Sequence, residues 1–118
     1  VVSLKNLEMD DKNFTLPMYK ATSEENHKQL LEILKKHVPT LRKYELITDT
    51  PAFMLQSDDG TIMEVFEWKD EKAKNIAHEH PAVRTIWGEM EGICTFPSLG
   101  DLPESKNMFP SFKVINSY

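Results

Sequence analysis

The order of strand-like and helix-like segments predicts an α+β domain, with one antiparallel sheet packed against helices on a single face. Three observations carry this expectation. Apolar and polar residues alternate over Asn13 to Ala21. Leucines and aromatic residues recur at three- and four-residue steps over 30–41 and 83–94. Between these helical runs, PAFMLQ and TIMEVFEW flank an Asp-Asp-Gly turn. The chain has 118 residues, enough for one domain and too few for two ordinary ones.

In NFTLPMYKA, Phe14, Leu16 and Met18 fall on one side, and Pro17 confines the strand to an edge or a bulge. Thr22 with Glu25 matches a capping box, so a helix is expected to start there. Leu30, Leu31, Leu34, Val38 and Leu41 form its apolar stripe, and Pro39 is expected to end it near His37. Pro51 to Gln56, the SDDG turn and Thr61 to Trp68 read as a β-hairpin, with Gly60 at the positive-φ position. The second strand places Ile62, Glu64, Phe66 and Trp68 on one face, and Thr61, Met63, Val65 and Glu67 on the other. Apolar bulk on both faces predicts a strand covered on both sides.

A second helical segment is expected from Asp70 to about Cys94, with Ile76, His80, Val83, Trp87, Met90 and Cys94 near one line and a break at His80, before Pro81. Phe96 to Asn107 reads as a long covering loop, and Met108 to Asn116 as the last strand. Strand, helix, strand, strand, helix, strand is the split βαβ, or ferredoxin-like, order: a four-stranded antiparallel sheet with two helices on one face. Residues 1–12 are expected to be a leader of uncertain structure, and 13–118 a single domain. Such a sheet leaves one face bare, and a symmetric homodimer is the expected cover.

Composition excludes several function classes. Fourteen basic residues against 19 acidic ones, a formal charge of −5, disfavour nucleic acid and anionic membranes. The single cysteine excludes an internal disulfide and a multi-cysteine zinc site. The longest apolar run, Ala52 to Leu55, is too short to span a membrane, and a cytoplasmic location is the default expectation. Val1 is not a start methionine, so a processed or trimmed N-terminus is expected, with any targeting segment lying before it. No P-loop, dinucleotide fingerprint or G-x-S-x-G elbow is present.

The stretch EVFEWKDEKAKNIAHEHPAVRTIW, Glu64 to Trp87, resembles the antibiotic-biosynthesis-monooxygenase-like family in its acidic-aromatic strand end, its Ala-His helix and its Pro-Val-x-x-x-Trp run. The likeness in strand order extends over roughly residues 13–116. It implies a dimeric α/β barrel with a pocket between sheet and helices in each subunit. Members include cofactor-free oxygenases of aromatic polyketides, haem-degrading enzymes and proteins without a known role. The haem-degrading members carry an iron-ligating histidine on the second helix, which AHEH at 77–80 echoes superficially. They also need a strand amide and a pocket tryptophan, and Asn13 and Trp68 match those positions poorly.

Among individual residues, His78 and His80 cannot chelate one metal together on a helix, because positions two apart diverge by about 200°. No metal or bound cofactor is therefore expected. His80 either satisfies a backbone group at the Pro81 break or acts as a base at a pocket wall, with His78 beside it. Glu64, on a buried strand, either bonds across the dimer interface to a Lys or Arg, such as Lys113 on the last strand, or serves as a base in a dry pocket. Tyr19, Phe53, Phe66, Trp68, Val83, Trp87 and Met90 are the candidate pocket lining, although stripes of this kind are commonly plain core. Phe112 belongs with them on the same grounds, Cys94 reads as a buried small hydrophobe, and Lys35–Lys36 and Arg42–Lys43 as solvated charge. Two functions remain open: a cofactor-independent monooxygenase acting on an aromatic or polycyclic substrate, with His80, Glu64 and His78 as its catalytic groups, and a non-catalytic dimeric binding or structural domain. Haem binding comes third.

Overall fold

A computed structural model describes residues 12–118, so all but the last residue of the expected leader lies outside the described residues. Three α-helices cover one face of a six-stranded antiparallel sheet among these residues. The first strand-like run is interrupted at Leu16 and Pro17, giving β1 (Phe14–Thr15) and β2 (Met18–Ala21), and both pair with the same neighbour. That neighbour is β4 (Ile62–Glu67), joined to β3 (Phe53–Gln56) by the Asp-Asp-Gly turn. Gly60 adopts φ 88° there, and its N–H donates to Ser57 O at 3.0 Å. Pro17 has no N–H for the ladder, but its carbonyl accepts from the Glu64 N–H at 2.9 Å, so pairing continues past the break.

Helix α1 (Glu24–Lys43) differs from expectation at both ends. Ser23, one residue after Thr22, is the N-cap and accepts from the Asn26 N–H. Thr22 instead donates to Ile93 O and accepts from the Asn26 amide. The helix also runs through Pro39. An interior proline costs about 3 kcal/mol. Val38 and Leu41 are fully buried, and burying two such side chains contributes about 3–6 kcal/mol. Burial wins, and Pro39 lies on the exposed side.

The helix stops in a Schellman arrangement: Leu46 N–H donates to Leu41 O and Glu45 N–H to Arg42 O. Glu45 occupies the left-handed position with φ 55°. Arg42 is not solvated charge, because its guanidinium donates to the carbonyls of Thr48, Thr50 and Tyr118 and so ties the α1 exit to the last strand.

The second helical run is two helices, α2 (Ala73–Glu79) and α3 (Pro81–Met90), broken at His80. Lys72, not the expected Asp70, holds the N-cap position of the first; Asp70 lies two residues ahead of it, and its carboxylate accepts from the Lys72 and Ala73 N–H groups. The break decouples the faces: Ala73 and Ala77 turn inward, and Ile76, expected on the apolar line, points outward. Nor does helix reach Cys94. Gly92 at φ 81° redirects the chain, and Cys94–Thr95 forms β5 beside β2.

The sheet order is β5-β2-β4-β3-β6, with β1 also on β4. The four-stranded expectation is therefore incomplete. The last strand, β6, spans only Lys113–Ser117, since Pro110 interrupts the run from Met108, and it pairs with β3 rather than beside the first strand. The connection from β5 to β6 holds two short 3-10 turns, Leu99–Asp101 and Pro103–Lys106. Glu104 pins it: its carboxylate accepts from Ser57 Oγ at 2.6 Å and Asp58 N–H at 2.8 Å, bonds that hold its pKa below the usual range. The covering loop is thus fastened to the hairpin turn, and Phe112 lies with it around a separate hollow.

Replacing Glu45 by Gly removes a side chain from a left-handed backbone position. The Glu45→Gly variant should gain about 0.5–1 kcal/mol, read as a higher urea midpoint with unchanged slope.

Candidate functional site

Strand β4 turns Ile62, Glu64 and Phe66 toward the helices, and α1 lies over them with Leu30, Leu34, His37 and Val38 buried. The one carboxylate in this layer is completely buried. Its partner is not Lys113. Glu64 Oε1 lies 2.8 Å from His37 Nδ1 on α1 and accepts from the Tyr19 hydroxyl of β2, also at 2.8 Å. On the far side of the imidazole, Trp87 Nε1 of α3 stands 2.9 Å from His37 Nε2.

One residue type fixes the proton positions along this chain. Indole Nε1–H can only donate, so His37 Nε2 must accept. His37 therefore carries its proton on Nδ1 and donates it to Glu64. Glu64 Oε1 takes two hydrogen bonds, and Oε2 has no partner among the described residues. Burial holds the Tyr19 phenol well above its ordinary pKa, and the neighbouring Glu64 charge and hydrogen bond add to the effect. Tyr118 is raised too, first by burial and then by Glu64.

The network closes the floor of a pocket of about 420 Å³ between the sheet and the helices. The rings of Phe66, Trp68 and Trp87 line it, with Met90 and the buried His37 beside them. Tyr19 and Phe96, in edge-to-face contact at 5.9 Å, bound one end. Thr15 and Pro17 form the strand-side rim, and Lys74, His78 and Glu91 the polar margin. The volume falls in the range of small-molecule cavities.

Of the residues singled out from sequence, Tyr19, Phe66, Trp68, Trp87, Met90 and His78 line this pocket. Glu64 lies behind it and reaches it through His37 and Tyr19. Val83 is fully buried core, and Phe53 points to the opposite face of the sheet, as its pairing with Val65 requires. His80 is no pocket wall: it caps α3, its Nδ1 accepting from Ala82 N–H at 3.2 Å, and its ring lies 4.1 Å from that of Tyr44. Cys94 is buried in β5, burial raising its thiol pKa, with Sγ near Met90 O. No group of three or more His, Cys, Asp or Glu side chains is arranged for a metal among the described residues. No helix among them is long and apolar enough to cross a membrane.

His37 was not among the expected site residues. The signal was there, a histidine in line with Leu30, Leu34 and Leu41 on the buried stripe. An ionisable ring within a leucine stripe calls for a buried partner, and Glu64 is the acid on the facing strand.

Compared with family models, curated proteins and solved structures, the chain matches none.

Glu64→Gln removes the charge that faces Tyr19. Alkaline titration of phenolate absorbance, with Tyr19→Phe assigning the transition, should show Tyr19 ionising at lower pH in Glu64→Gln, though still above a free phenol. Stability should fall by about 1–3 kcal/mol. Because the folded pKa of Tyr19 is raised, its contribution is intact below the ordinary value near 10 and is lost as pH climbs through the folded value.

Proposed function

We propose that the chain is a small-molecule-binding domain whose pocket takes a planar aromatic compound, and that it stands with the antibiotic-biosynthesis-monooxygenase-like proteins. The observation that carries this reading is the aromatic-walled cavity with one hydrogen-bonding ring, His37, in its floor. Flat apolar walls favour stacked rings, and the few polar groups around them fix their orientation.

The carboxylate–imidazole pair supports a chemical step as well. In this reading His37, backed by Glu64, acts as a base toward the cavity once Trp87 yields Nε2. An activated ring CH₂ would lose a proton to it, and the carbanion electrons would pass to dioxygen. A C–O bond forms, the CH₂ becomes a carbonyl, and the second oxygen atom leaves as water with the two hydrogens. No outside reductant enters this balance. The base in this reading is His37, in place of His80, with Glu64 as its positioning residue. A non-catalytic binding domain is the second reading, supported by Trp87 already occupying the lone pair that a base would use.

Titrating the protein with anthrone and following tryptophan fluorescence and oxygen consumption separates the readings. Saturable quenching with oxygen uptake that His37→Ala and Glu64→Gln abolish supports catalysis. Quenching without uptake selects the binding domain, and absence of both rejects the pocket reading.

The β5-β2-β4-β3 run supports a ferredoxin-like arrangement extended by β6, and the far face of this sheet supports a homodimer. Met18, Leu55 and Val65 point away from the helices and are half-buried, Met63 among them is already buried, and Phe14 is 53% and Val114 58% exposed beside them. Sedimentation at micromolar concentration should give twice the protomer mass, and a stable lone subunit would remove the dimer.

A further inference from the structure

The pocket has polar margins of opposite character at its two ends. Along β1 and β2, Thr15 pairs with Phe66 and Tyr19 with Ile62, so the strand-side rim from Thr15 to Tyr19 covers about 13 Å. The Tyr19 end holds Phe96 and Glu91, where the chain leaves α3 for β5 beside β2. The Thr15 end holds Trp68, from which the chain runs directly into α2 with Lys74 and His78.

Lys74 and His78 stand four positions apart on α2 and therefore share one face. Lys74 makes no ion pair or hydrogen bond among the described residues, as is true of several other surface lysines, but it alone of these lines the pocket. His78 makes no hydrogen bond among them either, and its ring meets the Trp87 ring edge-on at 4.8 Å. A free ammonium and a free imidazole thus sit at the rim of an aromatic slot, with a carboxylate at its other end.

We propose that the ligand of this pocket is a planar aromatic carboxylate. Its ring system lies between Trp68 and Trp87, and its carboxylate accepts from Lys74 Nζ and His78. This inference rests on the pocket reading above and adds the anionic group and its direction. Glu91 repels an anion at the opposite end, so the ligand enters in one orientation. A charge-assisted bond at the edge of an apolar slot is stronger than the same contact on open surface.

The test uses the intact chain at pH 7 and two probes of the same shape, 2-naphthoate and neutral 2-naphthalenemethanol, followed by tryptophan fluorescence and calorimetry. The carboxylate should bind about tenfold more tightly than the alcohol, a difference of about 1.4 kcal/mol. Lys74→Met should abolish that preference, so that the two probes bind this variant with equal affinity, and His78→Gln should retain part of it. Both side chains are exposed, so neither variant should disturb folding. Equal affinity for the two probes, or a preference that survives Lys74→Met, overturns this inference and leaves the pocket reading standing. Failure of both probes to bind overturns the two together.

Discussion

A single buried carboxylate organises this molecule. Glu64 lies in the middle of the most enclosed strand, and a charge there is tolerated only because neighbouring elements converge on it. Tyr19 comes from the strand beside it, His37 from the helix above, and Trp87 reaches in from α3 through His37. These bonds fix how α1 and α3 sit on the sheet more specifically than apolar packing does, since leucine contacts tolerate sliding and a hydrogen bond at 2.8 Å does not. The same residues form the floor of the cavity. The seating of the helices and the shape of the cavity therefore depend on one set of side chains.

Apolar packing supplies the rest of the order. Two clusters divide the core: one around Phe66, Val38 and Val83, the other around Leu30, Leu34 and Ile62. Trp87 packs against both, half-buried, with its indole N–H turned to His37. Bonds outside the core then fasten the periphery. Arg42 draws the α1 exit to the last strand, and Glu67 accepts from Thr48 and Thr50 in the following loop. Glu104 secures the long connection on the hairpin turn.

Local patterns made most elements legible in the sequence. Alternation over 62–67 gives the right faces for β4, Asp-Asp-Gly marks the hairpin, and Pro81 marks the helix break. Expectations missed where a local signal met a tertiary one. Pro39 signals a stop, but burial of Val38 and Leu41 carries the helix past it. Cys94 fits the helical period, yet Gly92 has already turned the chain into a strand. The position of β6 depends on a crossing connection that no short-range pattern encodes. Tyr19, Phe66, Trp68, Trp87 and Met90 are legible as pocket residues because apolar bulk on covered faces is visible in a pattern, and His78 because a histidine beside His80 draws notice. His37 was obscured because, read one residue at a time, a histidine in a leucine stripe looks like a helix terminus before a proline.

Trp87 holds two posts at once, since its ring walls the cavity while its N–H occupies His37. A guest that pushed the ring aside would deprive the imidazole of its donor, so filling the cavity and loosening the interior would be a single thermodynamic event. A molecule that fitted alongside the indole would escape that penalty, so thickness as well as hydrophobicity would decide which guests the cavity could hold.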